Sequence, residues 1–246
     1  MAVHLDLLGG VATITIDRPE RRNAINLEAL EAFDAALTTA IEAEVHCVIV
    51  TGAAGHFCAG ADLKELEDMA FTVRLGEVLD RLAQLDRPTI AAISGACMGL
   101  GMQLAVACDI RFAADGASFG VPVAKLGLMV NEWTLRRVAS LVGQGTARLM
   151  MLGAEVISTD EAHRLGFIQR VGGLDDARAL AERIATLAPL TLAGTKLGLN
   201  LVAGDQPSTS MDADYETAFR RAWSSADLAE GRAAFAERRP ARFTGR

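Results

Sequence analysis

Two stretches of this chain, residues 47–51 (CVIVT) and 88–93 (PTIAAI), are apolar almost without interruption. A strand with one wet face alternates apolar and polar residues, whereas a nearly continuous apolar strand is covered on both faces, as in parallel sheets with helical crossovers. The surrounding pattern agrees. Residues 3–8 and 11–16 read as two strands joined by Gly9-Gly10, a hairpin signal. Leu27, Leu30, Phe33, Leu37 and Ile41 form a helical stripe, and Leu63, Leu66, Met69, Leu75, Val78 and Leu82 form another within 62–85. Residues 95–101 read as a glycine-rich turn, 102–107 open a helix, and 109–113 are again a strand. From about Trp133 the pattern is nearly all helical, broken by a short strand at 168–171 and a loop at 204–208. Strands alternating with helices predict an α/β fold with mainly parallel pairing, followed by a helical C-terminal region.

Composition narrows the function. Of 246 residues, 51% are hydrophobic and 22% charged, so the chain has material for a large core and needs no disulfide or metal staple. A net charge of −7 argues against nucleic acid as partner. Every apolar run is shorter than the roughly 18 residues of a membrane span, so no membrane insertion is expected. The start, MAVHLDLLGG, has an acid in its apolar stretch and no basic segment before it, unlike a signal peptide. Cys47, Cys58, Cys97 and Cys108 lack CxxC spacing and read as reduced, buried thiols of a cytoplasmic protein. His4, His46, His56 and His163 are scattered, so no metal site is expected.

Two small-residue loops link strands to helices. Gly99-Leu100-Gly101 resembles the start of a dinucleotide fingerprint, but the third glycine position holds Leu104. What remains is a glycine-rich helix N-terminus, suited either to an anion or polarised carbonyl or simply to close strand–helix packing. The other loop is Phe57-Cys58-Ala59-Gly60-Ala61-Asp62-Leu63-Lys64. If the two loops aim one backbone N–H each at a common point, they form an oxyanion hole. The pattern leaves their meeting open.

At this point the chain resembles the crotonase (enoyl-CoA hydratase/isomerase) superfamily. The resemblance rests on Asp17-Arg18-Pro19 with Asn23-Ala24, on the 57–63 loop, and on Gly99-Leu100-Gly101 before Leu104-Ala105. It continues through Cys108-Asp109-Ile110-Arg111, Ala117-Ser118-Phe119-Gly120 with Pro122, and residues 234–240. It implies a crotonase-like spiral of ββα units over 1–190, a C-terminal helical trimerisation region over 191–246, and a homotrimer or dimer of trimers. It also implies an acyl-CoA thioester as ligand and no prosthetic group, coenzyme A entering only as part of that ligand. Carried over by position, the N–H groups of Ala61 and Leu100 would hold the thioester oxygen. Arg21, Arg22, Ala59, Asp62, Leu63 and Lys64 would lie along the coenzyme A. Phe235 and Arg238 would approach the nucleotide from a neighbouring subunit, although Arg238 and Arg239 equally suit a solvated helix end. Met98, Met102, Met129, Asn131 and Trp133 would line the acyl pocket, or for the methionines and Trp133 simply the core. Leu66, Met69 and Leu75 are further acyl-tunnel candidates, and Lys125, Arg136 and Arg137 read as surface charge.

The chain departs from hydratases of that family where water would be activated. The two glutamate positions hold Gln103 and Val123. Gln103 cannot shuttle a proton at neutral pH, and Val123 has no polar group. The first expectation is therefore an acyl-CoA or enoyl-CoA binding protein of fatty-acid metabolism with little or no hydratase activity. An enoyl-CoA isomerase using Glu132 as its single acid/base stays open, against a solvent-facing Glu132 that favours its helix dipole. A hydratase with relocated acids is the third reading. Five arginines (Arg232, Arg238, Arg239, Arg242, Arg246) in the last fifteen residues offer a local cationic rim within the acidic whole.

Overall fold

The computed structural model describes residues 2–62, 69–204 and 208–246. The hairpin forms as expected, with β1 (Val3–Leu8) and β2 (Val11–Ile16) antiparallel in the register Val3↔Ile16 to Leu8↔Val11. Asn26 then caps α1 (Leu27–Glu42) by accepting from the Ala29 N–H. The helix buries Ala29, Leu30, Phe33, Ala36, Leu37 and Ala40, the three-to-four spacing of a core-facing stripe.

The two apolar stretches become β3 (Cys47–Gly52) and β4 (Thr89–Ile93), parallel neighbours inside a sheet. With β6 (Ile110–Ala113) and β9 (Arg170–Val171) they complete the order β1-β2-β3-β4-β6-β9, parallel throughout except for the first pair. Their side chains sort by twos. Val48, Val50, Ala91 and Ile93 enter the main core, which also holds Phe33 of α1, Val78 and Leu79 of α2 (Met69–Ala83), and Leu104 of α3 (Leu100–Ala107). Cys47, Ile49, Ile90 and Ala92 enter a second core, against Ala177, Ala181 and Ile184 of α7 (Leu174–Ile184). Burial on both faces is why these strands carry no polar alternation.

A second, three-stranded sheet was not evident from the pattern. Within the glycine-rich turn, β5 (Ala96–Met98) runs parallel to β7 (Ser118–Gly120), and β7 pairs antiparallel with β8 (Val156–Ser158). Between them lie α4 (Glu132–Val142) and α5 (Gln144–Leu152), with α6 (Thr159–Arg164) following.

The C-terminal helices are α8 (Pro189–Val202), α9 (Ser208–Trp223) and α10 (Ala226–Glu237). Lys196 of α8 is buried, 2.8 Å from Asp109 Oδ2, and donates to the Arg87 carbonyl at 3.0 Å. Asp109 in turn accepts from the Thr89 N–H and hydroxyl, so one ion pair ties the helical region to the start of β4. Among the described residues, no helix is long and apolar enough to cross a membrane.

Candidate active site

The two small-residue loops meet. Residues 53–61 leave the carboxyl end of β3, and β5 with Gly99 leaves that of β4, the edge where open α/β sheets bind ligands. A parallel bridge joins Cys58 to Cys97, with the Cys58 N–H on the Ala96 carbonyl and the Met98 N–H on the Cys58 carbonyl, both at 3.0 Å. Gly101 makes this approach possible, because a Cβ there would stand 2.2 Å from the Cys58 oxygen.

Each loop presents a backbone donor. Leu100 is the first residue of α3, where N–H groups lack an intrahelical acceptor and no side chain caps the turn. Gly99, with φ +51°, donates to the Gly120 carbonyl and accepts from the Gln103 N–H. On the other loop, Ile25 bridges Ala61 by donating to the Gly60 carbonyl (2.9 Å) and accepting from the Asp62 N–H (2.8 Å). When one residue of a parallel pair bonds both neighbours of its partner, that partner's own N–H points the other way. The Ala61 N–H is thus turned from residues 24–26.

The 18–26 segment fastens this loop, a role the sequence reading did not assign beyond noting the motif. Asn23 is fully buried, accepts from the Arg18 N–H, and donates to the Ala53 and His56 carbonyls at 2.8 and 2.6 Å. Ala59 donates to the Arg22 carbonyl. His56 Nδ1 accepts from the Ala96 N–H at 3.2 Å, a second tie between the loops that no sequence signal marked.

The candidate residues separate. Ala59 and Ala61 are half-buried, and Arg21 and Arg22 are exposed at the same end. Asp62 is buried, its carboxylate turned inward to Arg18 at 3.2 Å, with Arg21 Nε 3.9 Å away. Leu63, Lys64 and Leu66 lie outside the described residues. Gln103 and Met98 are half-buried, and Val123 packs partly buried on the main core. Met102 and Leu75 are buried in that core, whereas Met129 is 88% exposed, so the methionines do not form one lining.

Asn131 caps α4, its Oδ1 accepting from the Thr134 N–H and hydroxyl. Glu132 follows as an exposed first-turn residue, and it lines a groove of about 470 Å³ with Leu135, Arg136, Ala147 and Met151, to which the described residues of the two loops do not contribute. Trp133 packs partly on the core beneath Arg137, whose guanidinium lies 5.6 Å from the indole and donates to the Val106 carbonyl, so Arg137 is more than surface charge. At the far end of α3, buried Arg111 donates to the Ala105, Cys108 and Phe167 carbonyls, and burial pushes its pKa down to about 10. The Cys58 and Cys108 thiols are pushed up to about 12 by burial, which makes them inert packing groups.

Phe235 is 88% exposed and borders an apolar groove of about 580 Å³ with Tyr215, Phe219, Trp223 and Phe243. Arg238 ends α10 in the left-handed conformation. Arg239 is gripped by Glu230 and Glu237, which removes it from the expected cationic rim.

Known proteins resemble this chain over nearly its whole length. A family model described as enoyl-CoA hydratase/isomerase matches residues 7–246. A Mycobacterium leprae protein named "Probable enoyl-CoA hydratase echA6" is 39% identical over 247 aligned residues, covering 96% of each chain. The short-chain-enoyl-CoA hydratase of Clostridium acetobutylicum is 33% identical, covering 96% of this chain and 95% of its own. The crystal structure of enoyl-CoA hydratase from Bacillus anthracis superposes with a TM-score of 0.91 at 29% identity, over 100% of both chains.

Proposed function

The chain belongs to the enoyl-CoA hydratase/isomerase family, and within it we propose an acyl-CoA or enoyl-CoA binding protein with little or no hydratase activity. The observation that carries this reading is the meeting of the two loops. They bring the outward Ala61 N–H and the uncapped first turn at Leu100 to one edge of the sheet. Two such donors suit a thioester carbonyl, whose oxygen gains negative charge when polarised. Hydration further requires groups that deprotonate water and protonate carbon, each contributing typically ~10²–10⁴-fold. The positions expected to supply them carry an amide, Gln103, and a hydrocarbon, Val123.

Isomerisation through Glu132 is the weaker reading, because that carboxylate is exposed on a groove whose described lining comes from α4 and α5. In the favoured reading Arg21 and Arg22 face the coenzyme A phosphates. The protein works in the reducing cytoplasm, in keeping with four buried free thiols. It assembles as a trimer or dimer of trimers through its C-terminal helices.

The test is incubation with 2-enoyl-CoA and 3-enoyl-CoA of several chain lengths, with binding measured by calorimetry. Binding without turnover is expected. Robust hydration that survives both Gln103→Ala and Glu132→Gln would overturn the reading, and isomerisation abolished by Glu132→Gln would replace it with the second.

A further inference from the structure

We propose that Arg18 is a positioning residue that aims the Ala61 N–H at the ligand carbonyl, an inference that rests on the oxyanion reading above. Arg18 is nearly enclosed, its side chain 14% exposed, unlike its neighbours Arg21 and Arg22. One arm of its guanidinium donates to the Ala24 carbonyl at 2.5 Å, and the other donates to Asp62 Oδ2 at 3.2 Å. Those acceptors stand on the two segments that the Ile25–Ala61 bridge joins. The planar fork thus adds a side-chain rung beside the two backbone rungs, Ile25 N–H to Gly60 and Asp62 N–H to Ile25.

The direction of the Ala61 donor depends on that pairing. Ile25 engages both neighbours of Ala61, and this turns the Ala61 N–H away from residues 24–26. The backbone of Asp62 lies within the same pairing, while its buried carboxylate is anchored by Arg18. Without the guanidinium, that carboxylate keeps, among the described residues, only Arg21 Nε at 3.9 Å, beyond hydrogen-bond reach. A buried charge without a close partner turns toward water and carries its backbone with it. The rotation would swing the adjacent N–H off the carbonyl, with the coenzyme A cations unchanged.

The experiment compares wild type, Arg18→Lys, Arg18→Gln and Asp62→Asn for binding of an acyl-CoA thioester and of its thioether analogue, in which a methylene replaces the carbonyl. The carbonyl stretch of the bound thioester is read by infrared difference spectroscopy. Wild type is expected to prefer the thioester about tenfold and to shift the stretch to lower frequency. In Arg18→Gln the preference falls toward unity and the shift is lost, and in Asp62→Asn, whose amide oxygen still accepts from Arg18 but without the charge, both fall in part, while thioether affinity stays within about twofold in each. Arg18→Lys, which keeps the charge but not the fork, recovers part of both. If Arg18→Gln loses its cooperative thermal transition, the isosteric Asp62→Asn carries the comparison. Unchanged preference and stretch in a folded variant would overturn the proposal. So would thioester and thioether affinities that fall together, since that marks a merely structural role. A wild type that does not discriminate the two ligands would overturn the oxyanion reading itself, a different failure from variants that match wild type.

Discussion

At Gly101 a hydrogen stands where any other residue would place carbon 2.2 Å from the Cys58 carbonyl oxygen and 3.0 Å from the Cys58 Cβ. Both partners are rigid. Gly101 is in the first turn of α3, a helix buried at nearly every position, and Cys58 is fixed by backbone bonds to Ala96 and Met98. A methyl group therefore cannot be absorbed by a side-chain rotation, and the two loops must part. Gly101→Ala is expected to weaken acyl-CoA binding at least tenfold and to cost about 2 kcal/mol of stability, the scale of core overpacking. Gly145→Ala is the control, since its added carbon meets nothing within 4 Å. That change, inside α5, should stabilise by about 0.5–1 kcal/mol and leave binding alone. Calorimetry and urea denaturation of both variants decide the matter, and wild-type binding in Gly101→Ala would remove the loop contact from the site.

Among the elements, those with several residues of one period were legible and the short ones were not. The hairpin falls at its expected bounds around Gly9-Gly10, and α1 buries Leu30, Phe33 and Leu37 of its stripe, while Leu27 at its start is exposed and Ile41 near its end is only partly buried. The strands β5, β7 and β8 have three residues each, too few for a period of two to declare itself, and each finds its partner far along the chain. The site divides the same way. Its two loops are visible as clusters of small residues, but their contact depends on the Cys58–Cys97 bridge, which only the three-dimensional pairing reveals. Nor could one sequence tell Met102, in the core, from Met129, in solvent. A further element-scale feature is the carboxylate of Glu230 on α10, which fastens the final residues by accepting from the Arg239 guanidinium at 2.6 and 2.9 Å and from the Arg242 N–H at 2.8 Å. The Arg239 hydrogen bonds, and then that of Arg242, hold the Glu230 pKa down to about 2. Its folded value lies below the unfolded value of about 4.3, so the clasp acts in full above that value and is lost as pH falls toward about 2. The Arg242 amide should keep its hydrogen-exchange protection factor at about pH 5 and lose it across that acid window. Glu230→Gln should abolish the pH dependence, and a protection factor flat with pH in wild type would count against the clasp.

For the whole molecule, the net charge of −7 says less than where charge is already engaged. Arg74 and Arg81 grip Asp34, Arg111 serves backbone carbonyls, Lys196 pairs with Asp109, and Arg239 holds two glutamates. On the C-terminal helices the single chain also leaves large apolar side chains uncovered. Val202 at the end of α8, Tyr215, Phe219 and Trp223 along α9, and Phe235 on α10 are all exposed, and the α9 aromatics recur every fourth residue with adjacent rings 6.4 and 5.8 Å apart. Contiguous apolar surface of this kind marks a face that associates. The proposed assembly places these helices between subunits, which predicts a light-scattering mass three or six times the 26.0 kDa of one chain. Phe219→Asp puts a charge in the middle of the aromatic row, where burial without a partner is unfavourable. It should yield a folded 26.0 kDa species with an unchanged far-ultraviolet circular dichroism spectrum, because the main core draws nothing from that row. If Phe235 also meets the coenzyme A of a neighbouring subunit, the same monomer should bind acyl-CoA more weakly than the assembly does. A wild-type chain that scatters as one subunit at micromolar concentration, or a Phe219→Asp variant that keeps the wild-type mass, would contradict the assignment of this face.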